Sequence, residues 1–223
     1  MSPPIRTALY VPGSSPRMMA KADTLAVDAV ILDLEDAVSP AEKGAARDGV
    51  AQHLLAREGN HQRWVRINAV GSADQVADLA AVLPARPEAI VVPKATPEAL
   101  RVVAGQVRDH ASSPGTPAPG LVALVETAEG LLHVGAVAAS PGVVAVQLGA
   151  EDLTADLGIA RTPTGEEILL ARHQVALAAR AHRLAAIDTP FLDIADTAAL
   201  SHDCRAARQC GMTAKTCIHP SQL

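Results

Sequence analysis

One stretch of the chain decides its fold: Leu121-Val122-Ala123-Leu124-Val125-Glu126, an apolar run closed by a carboxylate. A second apolar run, residues 143–149, is followed three residues later by Asp152. Runs this apolar are typical of strands that are buried on both faces of a parallel sheet. A carboxylate at the downstream end of such a strand costs desolvation free energy unless a cation meets it. Because the two strands would be neighbours, Glu126 and Asp152 are predicted to form a divalent-cation site for an oxyacid substrate.

Outward from these two runs, apolar strands alternate with helical segments along all 223 residues. Such alternation indicates a parallel sheet with helices outside it. Eight strands predict an α/β fold of the (β/α)8 TIM-barrel type, formed by a single domain over residues 1–223. A doubly wound open sheet is the alternative, but Pro12-Gly13-Ser14-Ser15 is not the glycine-rich fingerprint of that fold. The predicted strands are Thr7–Val11, Ala29–Leu34, Arg63–Ile67, Ala89–Val92, Leu121–Val125, Val143–Leu148, Ala185–Ile187 and Thr213–Ile218.

Capping and turn signals place the helices between the strands. Ser39-Pro40-Ala41-Glu42 has the shape of a capping box, and Thr96-Pro97-Glu98 starts a helix in the same way. Thr164-Gly165-Glu166-Glu167 is predicted to begin a long helix toward Arg183, with acids in its first turn. Residues 112–120 are predicted to form a surface loop and not a domain boundary.

Composition narrows the class of protein. Hydrophobic residues make up 49% of the chain and aromatic residues only 1%, so aliphatic side chains must fill the core. The net charge of −5 comes without a basic stripe, which argues against a nucleic-acid partner. We expect no membrane span, since no apolar stretch reaches the necessary length, and no secretory signal. The three cysteines fit neither a disulfide framework nor a Cys-x-x-Cys metal pattern, so a reducing cytoplasm is expected.

Charged and polar side chains follow most of the predicted strands, at the end where barrel enzymes place their chemistry. Arg66 and Lys94 are the most informative, because each lies at the positive end of the next helix dipole, where acids are favoured. An anion is therefore expected beside them. We expect one acid of the segment 33–36 to pair with these cations, since three neighbouring carboxylates repel one another unless they are paired. The other strand-end residues are Pro12, Gly13, Asn68, Thr127, Glu151, Asp188 and His219.

Two further features refine the predicted site. Gly149-Ala150 gives a tight passage from strand to helix, where backbone N–H groups can point at a substrate carboxylate. Asp36, Thr127 and Glu151 are explained equally well as caps of the following helices. The candidate metal ligands carry only oxygen, which favours Mg²⁺ over zinc.

Seven motifs in chain order resemble the citrate lyase β-subunit-like group of the HpcH/HpaI aldolase superfamily. They are Leu9-Tyr10-Val11-Pro12-Gly13, Leu32-Asp33-Leu34-Glu35-Asp36-Ala37-Val38, Val65-Arg66-Ile67-Asn68, Val92-Pro93-Lys94, Val125-Glu126-Thr127-Ala128, Leu148-Gly149-Ala150-Glu151-Asp152-Leu153 and Cys217-Ile218-His219-Pro220-Ser221-Gln222. The resemblance implies a (β/α)8 barrel, usually a homotrimer, that binds Mg²⁺ and a CoA thioester or an acyl-carrier equivalent.

The resemblance also implies residue roles. Glu126 and Asp152 match metal ligands, and Arg66 matches the arginine that contacts the substrate and the developing enolate. The amides near Gly149, Ala150 and Glu151 match those that hold the oxo-acid carboxylate. Pro12, Gly13 and Lys94 are further substrate-binding candidates, and Arg17 and Lys21 are candidates for the phosphates of CoA.

The implied function is a Mg²⁺-dependent lyase that cleaves a citryl-, malyl- or citramalyl-thioester. The products are a 2-oxo acid (oxaloacetate, glyoxylate or pyruvate) and an acyl thioester. Related lyases carry a segment after the His219-Pro220-Ser221-Gln222 motif that supplies a catalytic aspartate. No sequence follows here for that segment or for an eighth helix, so we expect another subunit to cover the eighth strand or the tail to be missing. Asp33, Glu35 or Asp36 then becomes the candidate base.

Three alternatives stay open. The first is a malate synthase or thioesterase reaction on the same enolate. The second is a non-catalytic subunit that binds oxo acid and CoA. The third is an aldolase that releases pyruvate from a substrate without a thioester.

Overall fold

Eight parallel strands close into a barrel in chain order, as the sequence predicts. The computed structural model describes residues 5–110 and 118–223, so most of the predicted loop at 112–120 lies outside the described residues. The strands are β1 Thr7–Pro12, β2 Ala29–Asp33, β3 Gln62–Arg66, β4 Ala89–Val92, β5 Gly120–Val125, β6 Val143–Leu148, β7 Ala185–Asp188 and β8 Ala214–Cys217. The helices are α1 Pro16–Ala22, α2 Lys43–Ala56, α3 Gln75–Val82, α4 Pro97–His110, α5 Ala128–Leu132, α6 Val134–Ala138, α7 Ala150–Asp156, α8 Leu169–Ala181 and α9 Thr197–Gln209.

Alternation along each strand divides the apolar residues into two cores. Val30 and Leu32 of β2 belong to the outer core, between the sheet and the helices. Ala29 and Ile31 point the other way, into the barrel, where they pack with Trp64 of β3. Since most other residues of the inner core are Ala, Val, Leu or Ile, the barrel interior is filled by small side chains around the single tryptophan.

The helix boundaries differ from the predictions at two places. The predicted capping box is wrong in its detail, because the Ser39 hydroxyl donates to the Glu42 carboxylate (2.6 Å) and does not cap the backbone. A 3₁₀ turn, Pro40–Glu42, then leads into α2. The long helix predicted to reach Arg183 begins with a 3₁₀ turn, Glu166–Ile168, and ends at Ala181. Arg183 has a φ of 60°, which a helix cannot accommodate.

A buried group of four charges joins the last two strands to the outer helices. Arg172 of α8 donates two hydrogen bonds to Asp188 at the end of β7, both of 2.9 Å. Lys215 of β8 donates to Asp188 and to Asp203 of α9, each at 2.7 Å. Asp188 thus serves the packing of β7 and β8 and does not line the cavity described below.

None of the helices within 5–110 and 118–223 combines the length and the apolar character needed to cross a membrane.

Candidate active site

Inward-pointing residues at the carboxyl ends of the strands surround a cavity of about 440 Å³. Asp33 follows Ala29 and Ile31 on the inner side of β2, and Arg66 follows Trp64 on the inner side of β3. The two are direct partners in the β2–β3 register, so the alternation that builds the core also brings this acid and base together. The predicted site residues that line the cavity are Pro12, Asp33, Asp36, Arg66, Glu126, Gly149, Ala150, Glu151 and Asp152.

Arg66 is the most heavily engaged side chain of the site. Its Nε and Nη2 donate to the two oxygens of Asp33 at 2.7 and 2.6 Å, a bidentate pair. Its Nη1 donates to Asp36 at 2.9 Å and lies 3.2 Å from Oε2 of Glu35. The predicted pairing of the acidic segment with Arg66 is therefore confirmed. Three of the five N–H groups of the guanidinium make these hydrogen bonds, so one on Nη2 and one on Nη1, beside Glu35, remain for a ligand.

The loop after β2 is fixed by its own acids and by a lysine from α2. Asp33 accepts from the backbone N–H groups of Glu35 (2.9 Å) and Ala37 (3.1 Å). Lys43 donates to the carbonyl oxygens of Leu34 and Glu35, each at 2.7 Å. Because Asp33 already holds two amides and Arg66, its role in the structure is to orient the loop and the guanidinium.

Glu126 lies directly after β5 and is 2% exposed. Its Oε1 accepts from the amide of Lys94 at 2.8 Å, while the Lys94 ammonium pairs with Glu35 at 3.2 Å. Burial, together with the nearby carboxylates of Glu35 and Asp152, raises the pKa of Glu126 to about 8. A cation beside this carboxyl would offset both the cost of burying its charge and the repulsion from the other carboxylates.

The passage from β6 to α7 has no room for a side chain at Gly149. An added Cβ would lie 2.7 Å from both Cβ and Oε2 of Glu126, so a side chain would displace the carboxylate. The Gly149 amide donates to Val125 O at 2.9 Å, and the Ala150 amide donates to the Thr189 hydroxyl at 3.1 Å. Of the three amides predicted to hold a carboxylate, the one of Glu151 thus has no acceptor among the described residues.

The carboxylates of Glu126 and Asp152 fit a Mg²⁺ ion. Both line the cavity, and Oε2 of Glu126 is free of hydrogen bonds from the described residues and faces the space left by Gly149. No group of three or more His, Cys, Asp or Glu side chains that could hold a metal occurs within 5–110 and 118–223. Two carboxylates nevertheless suit Mg²⁺, which is usually held by one or two of them plus water and substrate oxygens.

Five predicted site residues do not line the cavity: Gly13, Arg17, Lys21, Glu35 and Lys94. Gly13 is needed for the close approach of β1 and β2, because an added Cβ would lie 2.7 Å from Asp33 O. Arg17 and Lys21 are exposed on α1, on either side of Met18, which does line the cavity. His219 is exposed and caps the 3₁₀ turn Pro220–Gln222, so it also lies outside.

Three polar lining residues were not predicted: Tyr10, Gln147 and Thr189. The phenol of Tyr10 accepts from Gln147 Nε2 at 2.8 Å, and the Arg66 guanidinium lies 5.0 Å from the centre of the Tyr10 ring. Gln147 could have been found, because it is a lone amide in an otherwise apolar strand. Thr189 gives no such signal, since a threonine after a strand is unremarkable.

The family model described as HpcH/HpaI aldolase/citrate lyase matches residues 6–220. A (3S)-malyl-CoA thioesterase of Cereibacter sphaeroides is 37% identical over 222 residues, which cover 99% of this chain and 75% of that protein. The mitochondrial citramalyl-CoA lyase of Mus musculus is 36% identical over 234 residues, which cover 99% of this chain and 69% of that protein. A solved citrate lyase beta subunit from M. tuberculosis, complexed with oxaloacetate and magnesium, has a TM-score of 0.83 at 36% identity. That match covers 98% of this chain and 93% of the other.

Proposed function

We propose, from the premise that this chain belongs to the HpcH/HpaI aldolase/citrate lyase family, that it is a Mg²⁺-dependent carbon–carbon lyase. Its substrate is a citryl-, malyl- or citramalyl-thioester, and its products are a 2-oxo acid and an acyl thioester. The observation that carries the proposal is the all-oxygen pair of buried Glu126 and half-buried Asp152 in one cavity with Arg66. The lyase among the relatives and the complex with oxaloacetate and magnesium support it.

The reaction breaks the bond between the carbinol carbon and the α-carbon of the thioester. The hydroxyl loses its proton and becomes the carbonyl of the oxo acid, and the electron pair of the broken bond forms a thioester enolate. Protonation of that enolate gives the acyl thioester. Mg²⁺ held by Glu126 and Asp152 would supply Lewis-acid stabilisation of the negative charge on the oxo-acid oxygens.

The protein's own groups act at both ends of this bond. We assign donation to the enolate oxygen to the uncommitted N–H on Nη2 of Arg66, and one such donor is typically worth about 3 kcal/mol of transition-state stabilisation. Asp33 orients Arg66 through the bidentate pair, so it is a positioning residue. The Glu151 amide is the donor that remains for the oxo-acid carboxylate.

The same contacts reduce the choice of a base among Asp33, Glu35 and Asp36. Asp33 is committed to Arg66 and to two amides, and Glu35 does not line the cavity. Asp36 lines the cavity and its side chain is 59% exposed, so it alone of the three combines access to substrate with access to solvent. We assign the proton transfer to Asp36, and we expect Asp36→Asn to lower kcat while Mg²⁺ binding is retained.

We assign binding of the CoA part of the thioester to α1. Arg17 and Lys21 are exposed beside Met18 at the mouth of the cavity, where the phosphates of CoA would meet two cations. The double variant Arg17→Ala, Lys21→Ala should raise KM for the CoA thioester and leave oxo-acid binding unchanged. An equal loss of both would contradict the assignment.

The metal site is tested by Glu126→Gln, which keeps the size of the side chain and removes its charge. We expect loss of Mg²⁺ binding and of turnover, measured by calorimetry and by oxo-acid release. Glu98→Gln is the matched control, because Glu98 is exposed and its one ion pair within the described part of the chain is with Arg101 on α4. Retained turnover in Glu126→Gln would reject the proposed site.

A second candidate function is hydrolysis of the thioester, and the similarity to a (3S)-malyl-CoA thioesterase favours it. Product analysis separates the two with malyl-CoA as substrate. A lyase yields glyoxylate and acetyl-CoA, whereas a thioesterase yields free malate and CoA.

We further propose that the protein is a homotrimer, as the family resemblance suggests, and that it is cytoplasmic, as its cysteine pattern suggests. Sedimentation equilibrium tests the assembly, since the chain mass is 23.0 kDa. A particle of three times that mass is expected, and a monomer at micromolar concentration would contradict the proposal.

A further inference from the structure

Two polar side chains meet inside the barrel, where apolar residues are the rule. Tyr10 of β1 and Gln147 of β6 both line the cavity, and Gln147 is 1% exposed. The Gln147 amide donates from Nε2 to the phenol oxygen of Tyr10 at 2.8 Å. The Arg66 guanidinium lies over the Tyr10 ring, so the pair adjoins the proposed catalytic arginine.

This pair leaves one acceptor and one donor uncommitted. Oε1 of Gln147 is buried and has no hydrogen-bond partner among the described residues. The phenol of Tyr10 accepts from Gln147, and its own O–H donates to none of the described residues. A buried acceptor without a partner is unfavourable, so a ligand or a bound water that brings a donor is expected there.

Few chemical groups can serve as the partner of both atoms. A hydroxyl group donates one hydrogen bond and accepts others, so it satisfies both atoms at once. A carboxylate only accepts, so it would leave Oε1 of Gln147 without a donor. A methyl group satisfies neither atom.

We propose that Tyr10 and Gln147 bind the carbinol hydroxyl of the 3-hydroxyacyl thioester, an inference that rests on the lyase function proposed above. The hydroxyl donates to Gln147 Oε1 and accepts from the phenol of Tyr10. Its remaining lone pair stays free to face a metal at Glu126 and Asp152. The pair thereby fixes the oxygen in the bound substrate, whose proton must turn from Gln147 toward Asp36 and leave before the carbon–carbon bond breaks.

One consequence distinguishes the two residues. After cleavage this oxygen is the carbonyl of the oxo acid, which accepts but cannot donate. The hydrogen bond to Gln147 then has no donor, whereas the hydrogen bond from Tyr10 persists. Gln147 should therefore distinguish hydroxy acids from oxo acids, and Tyr10 should not.

Calorimetric titration of the Mg²⁺-loaded protein tests this directly. The titrants are malate and citramalate, which are hydroxy acids without a cleavable thioester, and oxaloacetate and pyruvate as oxo acids. Gln147→Met keeps the length of the side chain and removes its amide. We expect it to raise the Kd of the hydroxy acids about threefold to tenfold, the usual effect of one neutral hydrogen bond. The Kd of the oxo acids should change by less than about twofold on the same grounds.

Tyr10→Phe is the second variant, and it should weaken binding of both classes by a similar factor. Should Gln147→Met fail to melt cooperatively, Tyr10→Phe alone decides the matter, and unchanged binding would overturn the proposal. Equal loss of both classes in a folded Gln147→Met, or no loss of either, would also overturn it. A wild-type protein that binds none of the four acids would instead reject the proposed lyase function, and with it this inference.

Discussion

Gly149→Ala is a one-carbon change that tests how the site is built. The new Cβ would lie 2.7 Å from Cβ and Oε2 of Glu126 and 3.1 Å from a methyl carbon of Leu124. Ordinary carbon contacts begin at about 3.5 Å, so Glu126 or the strand end must move by several tenths of an ångström. Gly149 has a φ of −105°, which any residue adopts, and the expected effect therefore comes from this contact and not from backbone strain.

The size of the effect follows from two terms. Overpacking of this kind costs about 1–3 kcal/mol of folding free energy. Mutation of a residue that helps to orient a metal ligand typically lowers metal affinity or activity by about 10- to 100-fold, and Gly149 sets the position of Glu126. We therefore expect Gly149→Ala to fold with a lower melting temperature and to bind Mg²⁺ at least about tenfold more weakly.

The assay is the rise in melting temperature on adding Mg²⁺, which reports metal affinity because bound metal stabilises only the folded state. Gly105→Ala is the matched control. It lies within α4, where the only described atom within 4 Å of an added Cβ is the end of the Arg108 side chain, at 3.9 Å. This control should be more stable by about 0.5–1 kcal/mol and should bind Mg²⁺ normally. Wild-type Mg²⁺ affinity in Gly149→Ala would refute the reasoning.

Three more predictions concern the frame around the site. Arg172→Met should cost about 3–5 kcal/mol in urea unfolding, because Asp188 and Asp203 lose a buried partner; a loss below about 1 kcal/mol would contradict it. Thr189→Val removes the hydrogen-bond acceptor of the Ala150 amide, so it should lower the free energy of unfolding by about 1–3 kcal/mol and raise KM. Thr189→Ser keeps the hydroxyl and should behave as wild type. Burial lowers the pKa of His61, so the unfolded chain takes up this proton first as the pH falls. Stability should therefore be full above a pH of about 6.5 and fall below it, and His61→Gln should remove part of that slope.

The sequence was enough to predict the barrel because each strand is an apolar run with a polar end. The same pattern put Asp33, Arg66 and Glu126 at one end of the sheet, and the structure brings all three to one cavity. Boundaries were less predictable, as at Arg183, because a left-handed residue other than glycine gives no reliable signal in sequence.

Sequence patterns could not predict which side chains meet across the barrel. The contact between Tyr10 and Gln147 joins residues 137 positions apart. It depends on closure of the barrel, which lets side chains of β1 and β6 meet across the interior. The pairing of Asp188 with Arg172 and Lys215 likewise required the packing of α8 on β7 and β8. From sequence, Asp188 had the same appearance as the strand-end acids of the cavity, and only its burial against two cations separates it from them.

The central claim is that this site cleaves a carbon–carbon bond with the help of Mg²⁺. The most direct measurement incubates the protein with citryl-, malyl- and citramalyl-CoA, with Mg²⁺ or with a chelator, and quantifies oxo acid, acyl-CoA, free acid and CoA. The account predicts equal amounts of a 2-oxo acid and an acyl-CoA from at least one substrate, only when Mg²⁺ is present. Release of free acid and CoA without oxo acid, or no turnover of any of the three by folded, Mg²⁺-loaded protein, would contradict it.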